Sequence, residues 1–154
     1  MNNLNSNDTV NNLLVSLFDE IIELEERVLI KGEFKDISKN DMHIIDAIGS
    51  EETKNMSALA KKIKVTVGTL TIAINNLVKK GYVSRSRSKK DKRVVLISLS
   101  EKGERAFRRH KNFHERMVDS VIDGLDDNQV GVLINTLKNV RSFIDTYGEE
   151  ESKE

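Results

Sequence analysis

The sequence predicts a mainly α-helical protein that carries one small β-hairpin. Apolar residues recur at helical spacing over most of its 154 residues, and two short runs rich in β-branched residues flank a charged link between positions 82 and 99. The composition agrees, with no Pro, 5% aromatic and 32% charged residues, a balance that suits surface-charged helices better than a sandwich or barrel.

Residues 10–30 place Leu13, Leu14, Leu17, Phe18, Ile21, Ile22, Val28 and Leu29 at helical spacing, with acids between them, which predicts a long amphipathic helix ended by Gly32. Ser38 with Asp41 is a capping-box start for a second helix, carrying Met42, Ile45 and Ile48 to a stop at Gly49. A short helix follows from about Ser57 to Lys64 with Leu59, Ala60 and Ile63 inward, and another opens after Thr66, an N-cap with Thr69 three positions on. Only a turn around Val65 separates these two, and the second runs into Gly81 and a strand: the helix-turn-helix signature. Tyr82–Arg87 and Val94–Leu99 read as the hairpin, with a basic tip at Ser88–Arg93. Ser100 caps a long helix to about Ile122, and Asp126 with Gln129 opens a last one to about Tyr147, striped by Val130, Leu133, Ile134, Leu137, Val140 and Ile144. The Asn-rich start and the acidic run Glu149–Glu154 bury nothing and are expected to fray.

These elements predict a winged helix-turn-helix flanked by N- and C-terminal dimerisation helices. The expected divisions are 1–37 for the first dimerisation helix, 38–100 for the DNA-binding module, 101–148 for the C-terminal dimerisation helices, and 149–154 for a disordered acidic tail. The long apolar stripes exceed what so small a module covers, so a second copy is expected to cover them. Two recognition helices about 34–36 Å apart would then read a palindrome. An antiparallel bundle within one chain is the alternative.

The net charge of zero hides a segregation: residues 1–60 hold 5 basic and 12 acidic side chains, 61–116 hold 17 and 4, and 117–154 hold 3 and 9. A middle of +13 between flanks of −7 and −6 puts a positive field on the helix-turn-helix, the footprint of a polyanion partner. A solvated basic surface is the bland alternative. Without Cys there is no disulfide, thiol nucleophile or thiolate metal site, and no H-E-x-x-H, Gly-rich loop or Ser elbow marks an enzyme. No cofactor is expected. The N-terminus has no secretory pattern and no run of 18 apolar residues occurs, so a cytoplasmic protein with no membrane partner is expected.

On a helical wheel for 67–80, Val67, Leu70, Ile74, Leu77 and Val78 face inward, while Gly68, Thr69, Ile72, Asn75, Asn76 and Lys79 form a reading face. Asn pairs with adenine N6 and N7, and the methyls of Thr69 or Ile72 suit a thymine methyl, which favours an A·T-containing site. With Thr66 and Thr71 these make the helical part of the expected interface. The wing adds Arg87, Lys89, Lys90, Asp91 and Arg93, with Arg85 and Lys92 beside them, against a single acid. A basic hairpin tip suits a narrow minor groove, with Asp91 expected to hydrogen-bond Arg93 and fix its direction.

The helix-turn-helix, Lys79-Lys80-Gly81-Tyr82, the Asp91-x-Arg93 wing and Ser100-x-Lys102-Gly103 resemble the MarR family of transcriptional regulators over nearly the whole chain. More narrowly, Phe34–Ser38, Met42-His43, Ile45-Asp46, Ile48-Gly49, Asn75–Leu77 and His110-Lys111-x-Phe113-His114 are similar to FabT-type repressors of bacterial fatty-acid synthesis. That resemblance implies repression at an A·T-rich inverted repeat in double-stranded DNA, with a long-chain acyl group on acyl carrier protein as corepressor. Ile72 and Ala73 depart from it, standing where hydroxyl-bearing residues are expected. Phe34, His43, His110 and His114 are the expected effector pocket. His110 and His114, at i and i+4, also have metal-ligand spacing, with His43 and one of Glu23, Glu25 or Glu26 as completing ligands by resemblance to zinc-responsive members. The simpler reading is histidines that serve the pocket, with no metal. A repressor released by small aromatic ligands and a winged helix that binds proteins remain as alternatives.

Overall fold

A computed structural model describes residues 3–50 and 53–151. The order is α1 (Asn3–Leu29), a 3-10 turn (Gly32–Phe34), α2 (Lys39–Ile48), β1 (Lys54–Asn55), α3 (Met56–Lys62), α4 (Val67–Lys79), β2 (Val83–Arg87), β3 (Val95–Leu99), α5 (Glu101–Ile122) and α6 (Asp127–Glu151). The expected mainly helical architecture with a hairpin wing is what forms. The chain divides into two compact units, Met1–His114 and Glu115–Glu154.

The helix starts are local chemistry. Asp41 N–H donates to Ser38 Oγ at 3.1 Å while Ser38 N–H donates to Asp41 Oδ2 at 2.9 Å, a reciprocal capping box. Asp126 and Gln129 repeat it at 2.8 and 2.9 Å. Thr69 N–H donates to Thr66 Oγ1, and Gly103 N–H to Ser100 Oγ, both at 3.1 Å. Each side-chain oxygen takes up a donor that has no partner within its own helix.

Three boundaries differ from the sequence reading. α1 is helical from Asn3 and α6 continues to Glu151, so both helices extend beyond their expected bounds; residues 1 and 2 of the expected loose start and 152–154 of the expected tail lie outside the described residues. The hairpin gains a third strand, because Lys54 and Asn55 pair antiparallel with Ile97 and Leu96 to give the order β1-β3-β2. Two residues are too few to show any periodicity in sequence. β2 and β3 pair antiparallel, Val83 opposite Leu99 through Arg87 opposite Val95.

The core sits in the first unit. Tyr82, Ile45, Ile48, Leu59, Leu70, Ile74, Leu77 and Ile97 are fully buried, and each apolar side chain so placed contributes about 1.5–3 kcal/mol. Val67 and Val78, expected inward, are 46% and 38% exposed. The buried stripe of α4 is a narrow one of Leu70, Ile74 and Leu77, with Ala73 at its margin, because the helix packs only on one flank.

Gly81 ends α4 at φ +84°, a backbone region that costs an L side chain about 1–2 kcal/mol. The chain then reverses so that Tyr82 enters the core. Ser100 N–H donates to Tyr82 O at 2.9 Å, and Ser100 Oγ–H to Gly81 O at 2.5 Å. Gly103 lets α5 pass so close to that carbonyl that a Cβ there would lie 2.0 Å from Tyr82 O.

Apolar residues of α1, including Leu13, Leu17 and Phe18, and of the second unit, including Leu137, Phe143 and Ile144, are 46–65% exposed within the protomer. Phe143 and Tyr147 stack at 5.6 Å between ring centroids. No helix among the described residues is long and apolar enough to cross a membrane.

Candidate nucleic-acid interface and effector pocket

α4 turns one face outward. Thr66 caps it, and its hydroxyl also donates to Thr69 Oγ1 at 2.9 Å, so the first turn is a closed hydroxyl pair beside Gly68. Thr71 Oγ1–H donates back to Val67 O at 2.7 Å, four residues earlier, which occupies its hydroxyl proton. Ile72 is 66% exposed, and Asn75, Asn76 and Lys79 are exposed beside it. One contact was not legible in sequence: Arg85 Nη2 on β2 donates to Asn75 Oδ1 on α4.

The wing tip is closed by its own backbone and by Ser88. Ser88 N–H donates to Val94 O and Val94 N–H to Asp91 O, both at 3.0 Å, while Ser88 Oγ accepts from the N–H groups of Lys90 and Asp91 at 3.2 and 3.4 Å. Arg87 Nη1 donates to Lys92 O at 3.1 Å, tying the arginine into the hairpin. Lys89, Lys90 and Arg93 are exposed. Asp91 Oδ1 accepts the backbone N–H of Arg93 at 3.0 Å. The expected bond to Arg93 therefore forms, through its main chain: the carboxylate shapes the turn by a local Asx-type bond that a side chain two residues away makes most readily.

Behind the module, carboxylates gather on the histidines. His110, 7% exposed, meets Glu25 of α1 at Nε2 and Asp46 of α2 at Nδ1, the latter at 2.7 Å. His114 Nε2 lies 3.2 Å from the same Glu25 oxygen and 2.9 Å from His110 Nε2. Burial alone pushes the His110 pKa down, but the Asp46 and Glu25 carboxylates outweigh it and hold the imidazole above its usual range. Burial likewise pushes Glu25 up, and hydrogen bonds and charge from His110 and His114 bring it below the usual carboxylate value. One ligand atom each from Glu25, His110 and His114 lies within 4.8 Å of the others.

A cavity of about 90 Å³ opens beside this cluster, lined chiefly by Leu29, Ile30, Ile37 and Met42 with His43, Asp46 and His110. Of the four expected pocket residues, His43 and His110 line it. His114 stands half-buried next to His110. Phe34 lies in the core against Tyr82, ring centroids 6.4 Å apart, with the Arg109 guanidinium 5.8 Å from its ring. Its apolar ring packs where α5 and the strand after α4 meet, which the spacing of Phe34 from the histidines in sequence does not reveal. Glu25 was one of three acids considered, and Asp46 was missed; its position three residues after His43 on the same helix was the available signal.

The model of the family described as transcriptional regulator SarA/Rot matches residues 29–109. The HTH-type transcriptional regulator SarZ of Staphylococcus haemolyticus is 35% identical over 109 residues, covering 70% of this chain and 71% of that one. Streptococcus pneumoniae FabT, in its crystal structure in complex with DNA, is similar over 91% of this chain and 98% of its own, at 39% identity and a TM-score of 0.77. A mutant MarR of Escherichia coli complexed with operator DNA matches over 82% of this chain and 92% of its own, at 26% identity and a TM-score of 0.54. The chain is therefore a DNA-binding transcriptional regulator, not an enzyme, and belongs to the SarA/Rot family within the MarR-type winged-helix regulators.

Proposed function

We propose that this regulator represses fatty-acid-synthesis genes, acting in the cytoplasm as a homodimer on an A·T-rich inverted repeat, with a long-chain acyl group on acyl carrier protein as corepressor. The similarity to pneumococcal FabT in complex with DNA, 39% identical over 91% of the chain, carries this reading. In the proposed complex the reading helix contributes Thr66, Gly68, Thr69, Thr71, Ile72, Asn75, Asn76 and Lys79, and the wing Arg87, Lys89, Lys90, Asp91 and Arg93. The second copy covers the exposed stripes of α1 and of the second unit.

The apolar wall of Leu29, Ile30, Ile37 and Met42 suits an acyl chain. At about 90 Å³ the cavity is well below the roughly 300–1,000 Å³ of a typical ligand pocket. A long chain therefore enters fully only by parting α1 from α2, and a ligand that favours the parted form shifts the protein towards it.

The Glu25–His110–His114 cluster favours a second reading, a regulator responsive to a divalent metal such as zinc. The three ligand atoms lie within 4.8 Å of one another, a separation that a small adjustment of the side chains would bring to tetrahedral coordination, and Asp46 on His110 Nδ1 is the outer carboxylate that such histidines commonly engage.

A fluorescence-anisotropy titration against an A·T-rich inverted repeat from a fatty-acid-synthesis promoter separates these readings. Tightening by long-chain acyl carrier protein alone supports the lipid reading. A response to zinc alone supports the second, and release by small aromatic compounds with neither response refutes both.

A further inference from the structure

We propose that Arg85 sets the base preference of the reading helix by holding Asn75 with its amide NH2 turned outward, so that this position reads an acceptor on a base edge and loses the two-bond preference for adenine. Arg85 Nη2 donates to Asn75 Oδ1 across the ten residues between β2 and α4. A guanidinium has donors only, so the amide atom that faces it must be the oxygen, whichever way round the amide is drawn. Recognition of adenine by Asn needs both amide atoms, the oxygen accepting from N6 and the NH2 donating to N7. The oxygen keeps a second lone pair, but a charged donor holds it towards β2, so the NH2 is the group Asn75 offers outward. Any major-groove acceptor then satisfies it, guanine N7 or O6, thymine O4 or adenine N7, so the two-bond advantage of adenine is lost at this position and the side chain free to make both adenine bonds is the exposed Asn76.

The two arginines of β2 divide the work. Arg85 and Arg87 lie two apart and so share a face of the strand. Arg87 bonds to the wing's own Lys92 carbonyl, whereas Arg85 reaches the reading helix. Arg85 is thus a positioning residue that links the wing to base readout.

The inference rests on Asn75 facing the major groove, as in the proposed interface. The test begins with the wild-type protein and selection from a randomised duplex library. Anisotropy titrations then follow on duplexes carrying each base in turn at every enriched position, for wild type, Asn75→Ala, Arg85→Ala and Arg85→Lys at one salt concentration. Asn75→Ala is expected to flatten discrimination at one base pair, which assigns the position. At that pair Arg85→Ala is expected to shift preference towards adenine over guanine by about tenfold. Arg85→Lys, which still donates to Oδ1, is expected to keep the wild-type preference. If Arg85→Ala weakens every duplex equally and leaves the preference unchanged, Arg85 is a backbone contact and the proposal is wrong. If Asn75→Ala changes no preference at all, Asn75 reads no base, and its place on the reading face fails first.

Discussion

Replacing Gly103 by Ala in α5 is expected to destabilise the protein, although Ala is the better helix former. A Cβ at this position would lie 2.0 Å from Tyr82 O, 3.1 Å from Tyr82 C and 3.3 Å from Leu99 Cβ. The obstacle is a backbone carbonyl, so no side-chain rotation relieves it, and the first turn of α5 must retreat by about an ångström or more before ordinary contact is restored. That retreat strains the Ser100 N–H to Tyr82 O bond at 2.9 Å and the Ser100 Oγ to Gly81 O bond at 2.5 Å, worth about 1 kcal/mol each. Overpacking typically costs about 1–3 kcal/mol, against a helix-propensity gain of roughly 1 kcal/mol. The balance is a net loss of about 2–4 kcal/mol, or roughly 4–16 °C in Tm for a chain of this size. Urea and thermal unfolding followed by circular dichroism, at equal protomer concentration to hold dimerisation constant, measures it. Gly68→Ala is the control, because its Cβ meets nothing nearer than Thr66 Oγ1 at 3.9 Å and should leave stability unchanged or slightly raised. A Gly103→Ala protein as stable as that control would refute the close approach of α5 to Tyr82.

The same Gly68→Ala protein, though stable, is expected to bind operator DNA at least severalfold more weakly, since the added methyl stands in the first turn of the reading helix; unchanged affinity would place that turn away from DNA. Arg93→Ala is expected to weaken operator binding by tenfold or more, while Lys79→Ala lowers affinity on all sequences and reduces the slope of log K against log salt by about one; wild-type binding by Arg93→Ala would sink the wing contact. Asp41 gives a pH dependence. Burial pushes its carboxyl up, but the Lys80 ammonium at 2.7 Å and the Ser38 hydrogen bonds outweigh this and hold its pKa below the usual value. A lowered folded pKa means stability that is present above the unfolded value of about 4 and lost as pH falls through the folded one. Comparing urea midpoints of wild type and Asp41→Asn from about pH 6 to pH 3 should therefore show the gap closing below about pH 4, and a constant gap contradicts the pairing.

Much of this protein was legible in the chain itself because the relevant interactions are local. Ser38 with Asp41, Thr66 with Thr69, Ser100 with Gly103 and Asp126 with Gln129 are three residues apart, so the side chain that starts each helix and the N–H it accepts are neighbours whatever the rest of the chain does. The concentration of basic residues between 61 and 116 is likewise a property of the sequence, and with the helix-turn-helix spacing it pointed to DNA. The tertiary structure alone decided how distant residues meet. It placed Glu25 and Asp46 on either side of His110, drew Phe34 into the core rather than the cavity, added β1 to the hairpin, and set Arg85 against Asn75. Residues 85 positions apart, such as Glu25 and His110, come together only when helices pack. That packing is chosen by the burial of whole apolar faces, so no local pattern of polar residues announces which of them will end side by side.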